Sequence, residues 1–267
     1  MTTSGSKWSA IGDVVTGASH IRQGTVCQDA LAIHTDETGF VVAAVADGHG
    51  SRACPYSDEG AHLAVQAAIR LLGSILMQDL KGAQFTFATN KDDRIPKQLE
   101  IMWKESVKER HTSKGRGETD SLFVMYGSTL NAVAATDDFV FFVKIGDGDI
   151  LMMSEDGPVQ VLPTADRLGE DTESLCMDGA WKYVRTQIMQ MKDDRELMLV
   201  LASDGYSNSF TETGGFLKAG MDFFRLSSQE GLGSIKKSLS DWLRQSSDVG
   251  SGDDISLALV SFGKNKT

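Results

Sequence analysis

The sequence predicts a mixed α and β fold, on three observations. Short apolar runs recur at residues 40–46, 196–202 and 255–262, and each meets acid and glycine at one end. Stretches 57–80 and 234–245 instead repeat apolar residues at the three-to-four spacing of a helix. The 267 residues are 41% hydrophobic, which supports one packed domain over 1–267, and no continuous apolar run approaches the roughly 18 to 20 residues that span a bilayer.

Taken in order, residues 8–15 and 30–35 read as short strands around a loop, 16–28, that carries His20 and Arg22. Residues 40–46 read as a strand buried on both faces, ending at Asp47-Gly48-His49-Gly50. Ser57 is expected to cap a helix over 57–80, with Asp58 and Glu59 in its first turn and Ala61, Ala64, Val65, Ala68, Leu72, Ile75 and Leu76 as its apolar stripe. Residues 81–94 read as loop. Pro96 opens a second helix that presents Leu99, Met102, Trp103 and Val107 on one face. Its polar end, 111–120, reads as a mobile loop with a solvated His111.

Strands are expected at 122–126, 129–135, 139–145 and 149–154, joined as an antiparallel meander by Asp137-Asp138 and by Gly146-Asp147-Gly148. Further strands fall at 159–162, 182–191, 196–202 and 255–262, and helices at 207–225 and 234–245. Between them, 163–180 is long and polar, the kind of loop that carries function in a compact domain.

Acidic residues outnumber basic ones 37 to 26, a net charge of -11 that disfavours nucleic acid as a partner. Residues 1–7 are polar and lack the basic and apolar regions of a signal peptide, so a cytoplasmic protein with no membrane association is expected. Cys27, Cys54 and Cys176 are an odd, widely spaced set that suits free thiols better than a disulfide or zinc framework.

Four apolar runs end in carboxylates, at Asp29, Asp47, Asp204 and Asp253. If those ends converge, like charges a few ångström apart repel strongly, and a cation resolves the repulsion. Oxygen-only ligands favour Mg²⁺ or Mn²⁺ over Zn²⁺. For Asp47-Gly48-His49 taken alone, an Asp-Gly turn with a surface histidine is the plain alternative.

Six motifs in order carry a family resemblance: Cys27-Gln28-Asp29, Ala46-Asp47-Gly48-His49-Gly50, Gly127-Ser128-Thr129-Leu130, Gly146-Asp147-Gly148-Asp149, Ala202-Ser203-Asp204-Gly205 and Gly252-Asp253-Asp254-Ile255-Ser256. Through them the chain resembles the PPM family, the type 2C metal-dependent protein serine/threonine phosphatases, and in particular their compact bacterial members. The resemblance implies a four-layer α-β-β-α sandwich, two mostly antiparallel sheets flanked by helices. It implies two Mg²⁺ or Mn²⁺ ions held by Asp29, Asp47, Asp204 and Asp253 with the Gly48 carbonyl, and hydrolysis of phosphoserine or phosphothreonine by a water bridging the ions. His49 is the implied general acid, the implied substrates are phosphorylated proteins, and a cognate Ser/Thr kinase is the implied partner.

The chain departs from the family pattern at several places. The family arginine that binds phosphate stands five residues before the aspartate, where this chain has Gly24; Arg22 is two residues earlier, and Arg52 is a second candidate. Gln28 replaces a glutamate, Asp254 stands where asparagine is usual, and Val124 holds the place of an acid that binds an additional metal in some members. Family analogy makes Asp147 and the Gly127-Ser128-Thr129 turn structural groups or groups just outside the metal ligands, not catalysts. These departures motivate a second reading, a phosphoprotein-binding scaffold that has kept the fold and lost turnover, and a third, an acidic metal-stabilised domain without phosphate chemistry. Six residues beyond each cysteine, where a Cys-x5-Arg loop places its arginine, stand Ile33, Gly60 and Lys182, so that loop of the tyrosine phosphatases is absent.

Overall fold

The computed structural model describes residues 8–163, 172–191 and 195–263. Two five-stranded sheets lie face to face, and every strand pair in them is antiparallel. One sheet runs β1 (Trp8–Val15), β10 (Ile255–Phe262), β9 (Leu197–Ala202), β6 (Asp149–Ser154), β7 (Gly157–Gln160). The other runs β2 (Asp29–Thr35), β3 (Val41–Asp47), β4 (Leu130–Ala135), β5 (Phe139–Ile145), β8 (Arg185–Gln190).

Alternation along β3 shows how one strand serves two cores. Val41, Ala43 and Val45 point between the sheets, where they meet Val133, Phe142, Leu199, Leu201 and Val260. Val42, Ala44 and Ala46 point the other way, onto α2 (Ser57–Gln78) and α4 (Arg94–Ser113). On the far side, α6 (Thr213–Glu230) and α7 (Leu232–Val249) cover the first sheet through Phe216, Phe223, Ile235, Leu239 and Leu243. The four layers expected from the resemblance are therefore present.

Among the described residues, α2 is the one helix long and apolar enough to cross a membrane. Of its expected stripe, Ala61, Ala64, Val65, Ala68, Leu72 and Leu76 are buried against the second sheet, and Ile75 is half-buried beside them.

Several expectations need correction. The meander breaks at Gly146-Asp147-Gly148, because β5 and β6 belong to different sheets. The free edge of β5 is taken by β8, whose Arg185 donates from Nη2 to the Gly146 carbonyl at 3.1 Å. Residues 83–90, expected as loop, form α3 (Ala83–Asn90), because Phe87 inserts under it and stacks on Phe141 at 4.4 Å. Tertiary packing here overrides weak local preference.

Residues 124–126 form a 3₁₀ turn instead of a strand, with Tyr126 drawn toward Tyr56 and His111 on the helical side. His111 is buried in the last turn of α4: its Nε2 donates to the Gly117 carbonyl at 2.8 Å, and Nδ1 faces the Tyr126 hydroxyl at 3.3 Å. Ser57 does not cap α2; Tyr56 precedes the helix, and the buried Ser57 Oγ makes no hydrogen bond. A short helix, α1 (Ala18–Gln23), interrupts the expected 16–28 loop, and α5 (Asp204–Ser207) precedes α6. Of the long loop at 163–180, residues 164–171 lie outside the described residues.

Candidate metal centre

The carboxylates collect at one end of the sandwich because strands from both sheets end or begin there. Asp29 opens β2 and Asp47 closes β3, and the two are register partners. Asp204 opens the short helix two residues after β9 ends, Asp253 and Asp254 precede β10, and Asp147 sits on the link that carries the chain from one sheet to the other. Oxygens of Asp47, Asp147 and Asp204 lie within 4.8 Å of one another.

Asp29 ties the two sheets together. Its Oδ2 accepts from Ser203 Oγ at 2.6 Å, and Ser203 Oγ in turn accepts from the Ser256 N–H at 3.0 Å. Asp29 Oδ1 is buried and makes no hydrogen bond within the protein. A buried carboxylate oxygen left without a donor is costly, and a cation at that point would satisfy it.

The electrostatics agree. Burial raises Asp29 to about 7, with Asp254 and Asp204 adding repulsion while its hydroxyl partners oppose it. Burial followed by Asp147 raises Asp204 to about 6. Asp47 is pushed well above the usual carboxylate range, first by burial and then by Asp29, Asp204, Asp253 and Asp147. Such a group of acids holds protons when no cation is present, and a divalent cation would replace them. All donors are hard oxygens, so Mg²⁺ or Mn²⁺ fits the set.

Gly48 allows the turn at the rim. A Cβ there would stand 2.5 Å from the Ser57 carbonyl oxygen and 2.9 Å from that of Gln28, closer than any side chain tolerates. The Gly48 N–H donates to the Gln28 carbonyl at 3.1 Å, and His49 N–H donates to the Gly127 carbonyl at 3.0 Å. Burial lowers the His49 pKa, opposed by nearby Asp147.

The remaining expected residues divide. Asp253 lies outside the tight trio, half exposed at the rim, with Oδ1 3.8 Å from His20 Nε2; it still repels Asp47 and Asp204. Asp254 is a buried anchor: its oxygens accept from the Gly17 and Gln28 N–H groups, each at 2.7 Å, and Oδ2 lies 2.9 Å from His20 Nδ1. Arg22 is exposed on α1 and donates to Ser19 Oγ at 3.0 Å. Arg52 is also exposed, in the turn beyond His49.

Asp147, expected as a structural group or one just outside the metal ligands, lies with Asp47 and Asp204. Sequence reading also passed over Ser203, although it stands inside one of the quoted motifs, and Lys144. That lysine is fully buried near the end of β5, and burial lowers its pKa to about 8 while Asp149 and Asp147 oppose the shift. A single lysine inside Phe-Val-Phe-Phe-Val-Lys-Ile was the signal available.

Fold and site together define a class: a layered α-β-β-α sandwich that concentrates carboxylates where its two sheets meet the rim. The chain belongs to the protein phosphatase 2C family, whose model matches residues 16–244. No curated protein matches it. Among solved structures it is similar to a serine/threonine phosphatase of S. agalactiae, at 17% identity and a TM-score of 0.60, over 96% of this chain and 100% of that one. It is also similar to PppA, described as a key regulatory component of T6SS in Pseudomonas aeruginosa, at 16% identity and a TM-score of 0.58, over 96% and 98%. At such identities the likeness is one of fold.

Proposed function

We propose that the chain is a metal-dependent phosphoprotein phosphatase acting on phosphoserine and phosphothreonine. The observation that carries this reading is the trio of Asp47, Asp147 and Asp204 beside the buried, unpartnered oxygen of Asp29. Asp29, Asp47, Asp147 and Asp204 would hold two Mg²⁺ or Mn²⁺ ions, with Asp253 and the Gly48 carbonyl at the rim. Ions bound there would acidify water and offset the charge of a phosphoryl group.

The chain's own residues have separate tasks. Ser203 fixes the direction of the Asp29 carboxylate, and Asp254 pins the Gly17 and Gln28 backbone so that β2 enters the site in register. His49, held by its backbone on Gly127, would give a proton to the departing serine or threonine oxygen. Arg22 would need to leave Ser19 to hold a phosphoryl oxygen, which a planar fork on a short surface helix can do. The substrates would be phosphorylated proteins, with a Ser/Thr kinase as the opposing activity, and the three free thiols suit a reducing cytoplasm.

The test is phosphate release from a phosphothreonine peptide by chelator-stripped protein, with Mn²⁺ and then Mg²⁺ restored. Metal-dependent release that Asp47→Asn abolishes supports the reading. Peptide binding with no release under any metal favours the scaffold reading instead, whose own support is that Arg22 is bonded to Ser19.

A further inference from the structure

Two thiols outside the proposed reaction meet at Gly127. A Cβ on that glycine would stand 3.3 Å from Cys54 Sγ, 3.3 Å from Cys176 Sγ and 2.7 Å from His49 Cδ2. Both sulfurs thus flank one point, no farther from each other than twice that first distance, with no side chain of Gly127 between them. All three cysteines are free thiols in this structure.

Chain neighbours of each cysteine bond to the same short piece of backbone. Cys54 is buried in the turn that follows His49, its N–H donating to the Ser51 carbonyl at 3.0 Å and its carbonyl accepting from the Ser57 N–H at 3.2 Å. Cys176 is half-buried and next to Leu175, whose N–H donates to the Ser128 carbonyl at 3.0 Å. Ser174 Oγ donates to that same carbonyl at 3.1 Å, while His49 N–H donates to the Gly127 carbonyl. The two cysteines are therefore carried on separate segments, 49–57 and 174–177, that bond to Gly127 and Ser128 through His49 on one side and Ser174 and Leu175 on the other. Cys27 lies apart, with Sγ 3.9 Å from the Val15 carbonyl oxygen.

We propose that Cys54 and Cys176 are an oxidation site, converted by hydrogen peroxide or a related hydroperoxide into a disulfide that clamps the turn after His49 onto the 174–177 segment. Half-buried Cys176 meets the oxidant first. Its thiolate attacks one peroxide oxygen, the O–O bond breaks, hydroxide leaves as water, and the sulfur becomes a sulfenic acid. The Cys54 thiolate then attacks that sulfur; the S–S bond forms, the S–O bond breaks, and a second hydroxide leaves as water. Two thiols lose two electrons and two protons, and one peroxide becomes two waters. Burial raises the Cys176 pKa, so the first step quickens as pH rises.

Bond formation needs sulfurs about 2.05 Å apart, so both side chains must swing toward the space beside Gly127, where the His49 ring edge lies. The consequence for turnover rests on the phosphatase reading; the bond itself does not.

The experiment treats the full chain with hydrogen peroxide, alkylates remaining thiols and maps the peptides by mass. The expected result is paired loss of alkylation at Cys54 and Cys176, a joined peptide that dithiothreitol separates, and an alkylated Cys27. In Cys54→Ser, Cys176 should instead stop at a sulfenic acid that dimedone traps. Independent oxidation of the two thiols with no joined peptide would overturn the proposal, as would equal joining of either to Cys27. Phosphothreonine turnover is read in parallel. A loss of about a hundredfold, the scale of a displaced general acid, reversed by dithiothreitol and absent in the Cys54→Ser/Cys176→Ser protein, is expected; unchanged turnover in fully joined protein would remove the link to His49. If no form turns over, the peptide map still decides on the bond.

Discussion

Asp29 and Asp47 stand opposite each other across an antiparallel pair of strands, and Asp29 is bonded to the facing sheet through Ser203. That cross-sheet bond makes the first acid of the site depend on a hydroxyl from the other half of the sandwich. Replacing Ser203 with Ala would leave Asp29 Oδ2 and the Ser256 N–H without partners in a buried place. A loss of about 1–3 kcal/mol in stability is expected, together with weaker Mn²⁺ binding, both measurable by denaturant unfolding with and without the metal. A variant as stable as the parent would show that the bond contributes nothing.

Proton and metal should compete for the trio. Asp29 and Asp204 titrate at about 7 and about 6, and Asp47 is also raised, whereas unfolded aspartate titrates near about 3.9. The folded, metal-free protein therefore holds protons that the unfolded chain releases, so this contribution is fully present below about pH 4 and is lost as pH rises through about 7. Metal-free melting temperature should fall over that window from these groups, while the rise produced by Mn²⁺ should grow. Thermal melts at about pH 5 and about pH 8, with and without the ion, read both; an equal metal effect at the two pH values would contradict the assignment.

Asp147→Asn separates a ligand from a structural turn residue. The substitution keeps shape and removes charge, so folding should persist while Mn²⁺ affinity falls by about tenfold to a hundredfold. Calorimetric titration checks this without reference to turnover. If affinity is unchanged, Asp147 reverts to the structural role that the sequence alone gave it.

Why that acid escaped a sequence reading is instructive. Asp29, Asp47 and Asp204 are legible because each stands where an apolar strand meets polar backbone, and the strand itself reports the burial. Asp147 stands between two glycines after an apolar run, which is equally the signature of a hairpin. Only the crossing from one sheet to the other, forced when β8 takes the edge of β5, carries it into the site. The same limit hid α3 and the burial of His111. Phe87 and Tyr126 reach partners far along the chain, Phe141 and Tyr56, and no local period encodes such contacts. The almost wholly buried strands β3, β9 and β10 are readable within a residue or two.

A steric prediction concerns Gly48. Its Cβ position lies 2.5 Å from a backbone carbonyl oxygen, that of Ser57, so no flexible side chain can yield. Gly48→Ala must push β3 away from the start of α2 and should cost about 1–3 kcal/mol. It should also move the Gly48 carbonyl, so Mn²⁺ binding should weaken beyond what stability alone explains. Gly24, with nothing within 4 Å of its Cβ position, is a control for close approach, although its φ of 67° carries a separate strain.

His49 gives the last test, because its role as proton donor predicts a dependence on the leaving group. A nitrophenolate departs without help, whereas a threonine alkoxide needs a proton. His49→Ala should therefore lower turnover of a phosphothreonine peptide by about a hundredfold while leaving a nitrophenyl phosphate nearly unaffected. Burial lowers the His49 pKa, so the donor form gains population only as pH falls below the ordinary histidine value of about 6.5. The ratio of parent to His49→Ala turnover on phosphothreonine should widen in that direction. Equal losses on both substrates, or a ratio that does not change with pH, would assign His49 to holding the Gly127 backbone instead of to proton transfer.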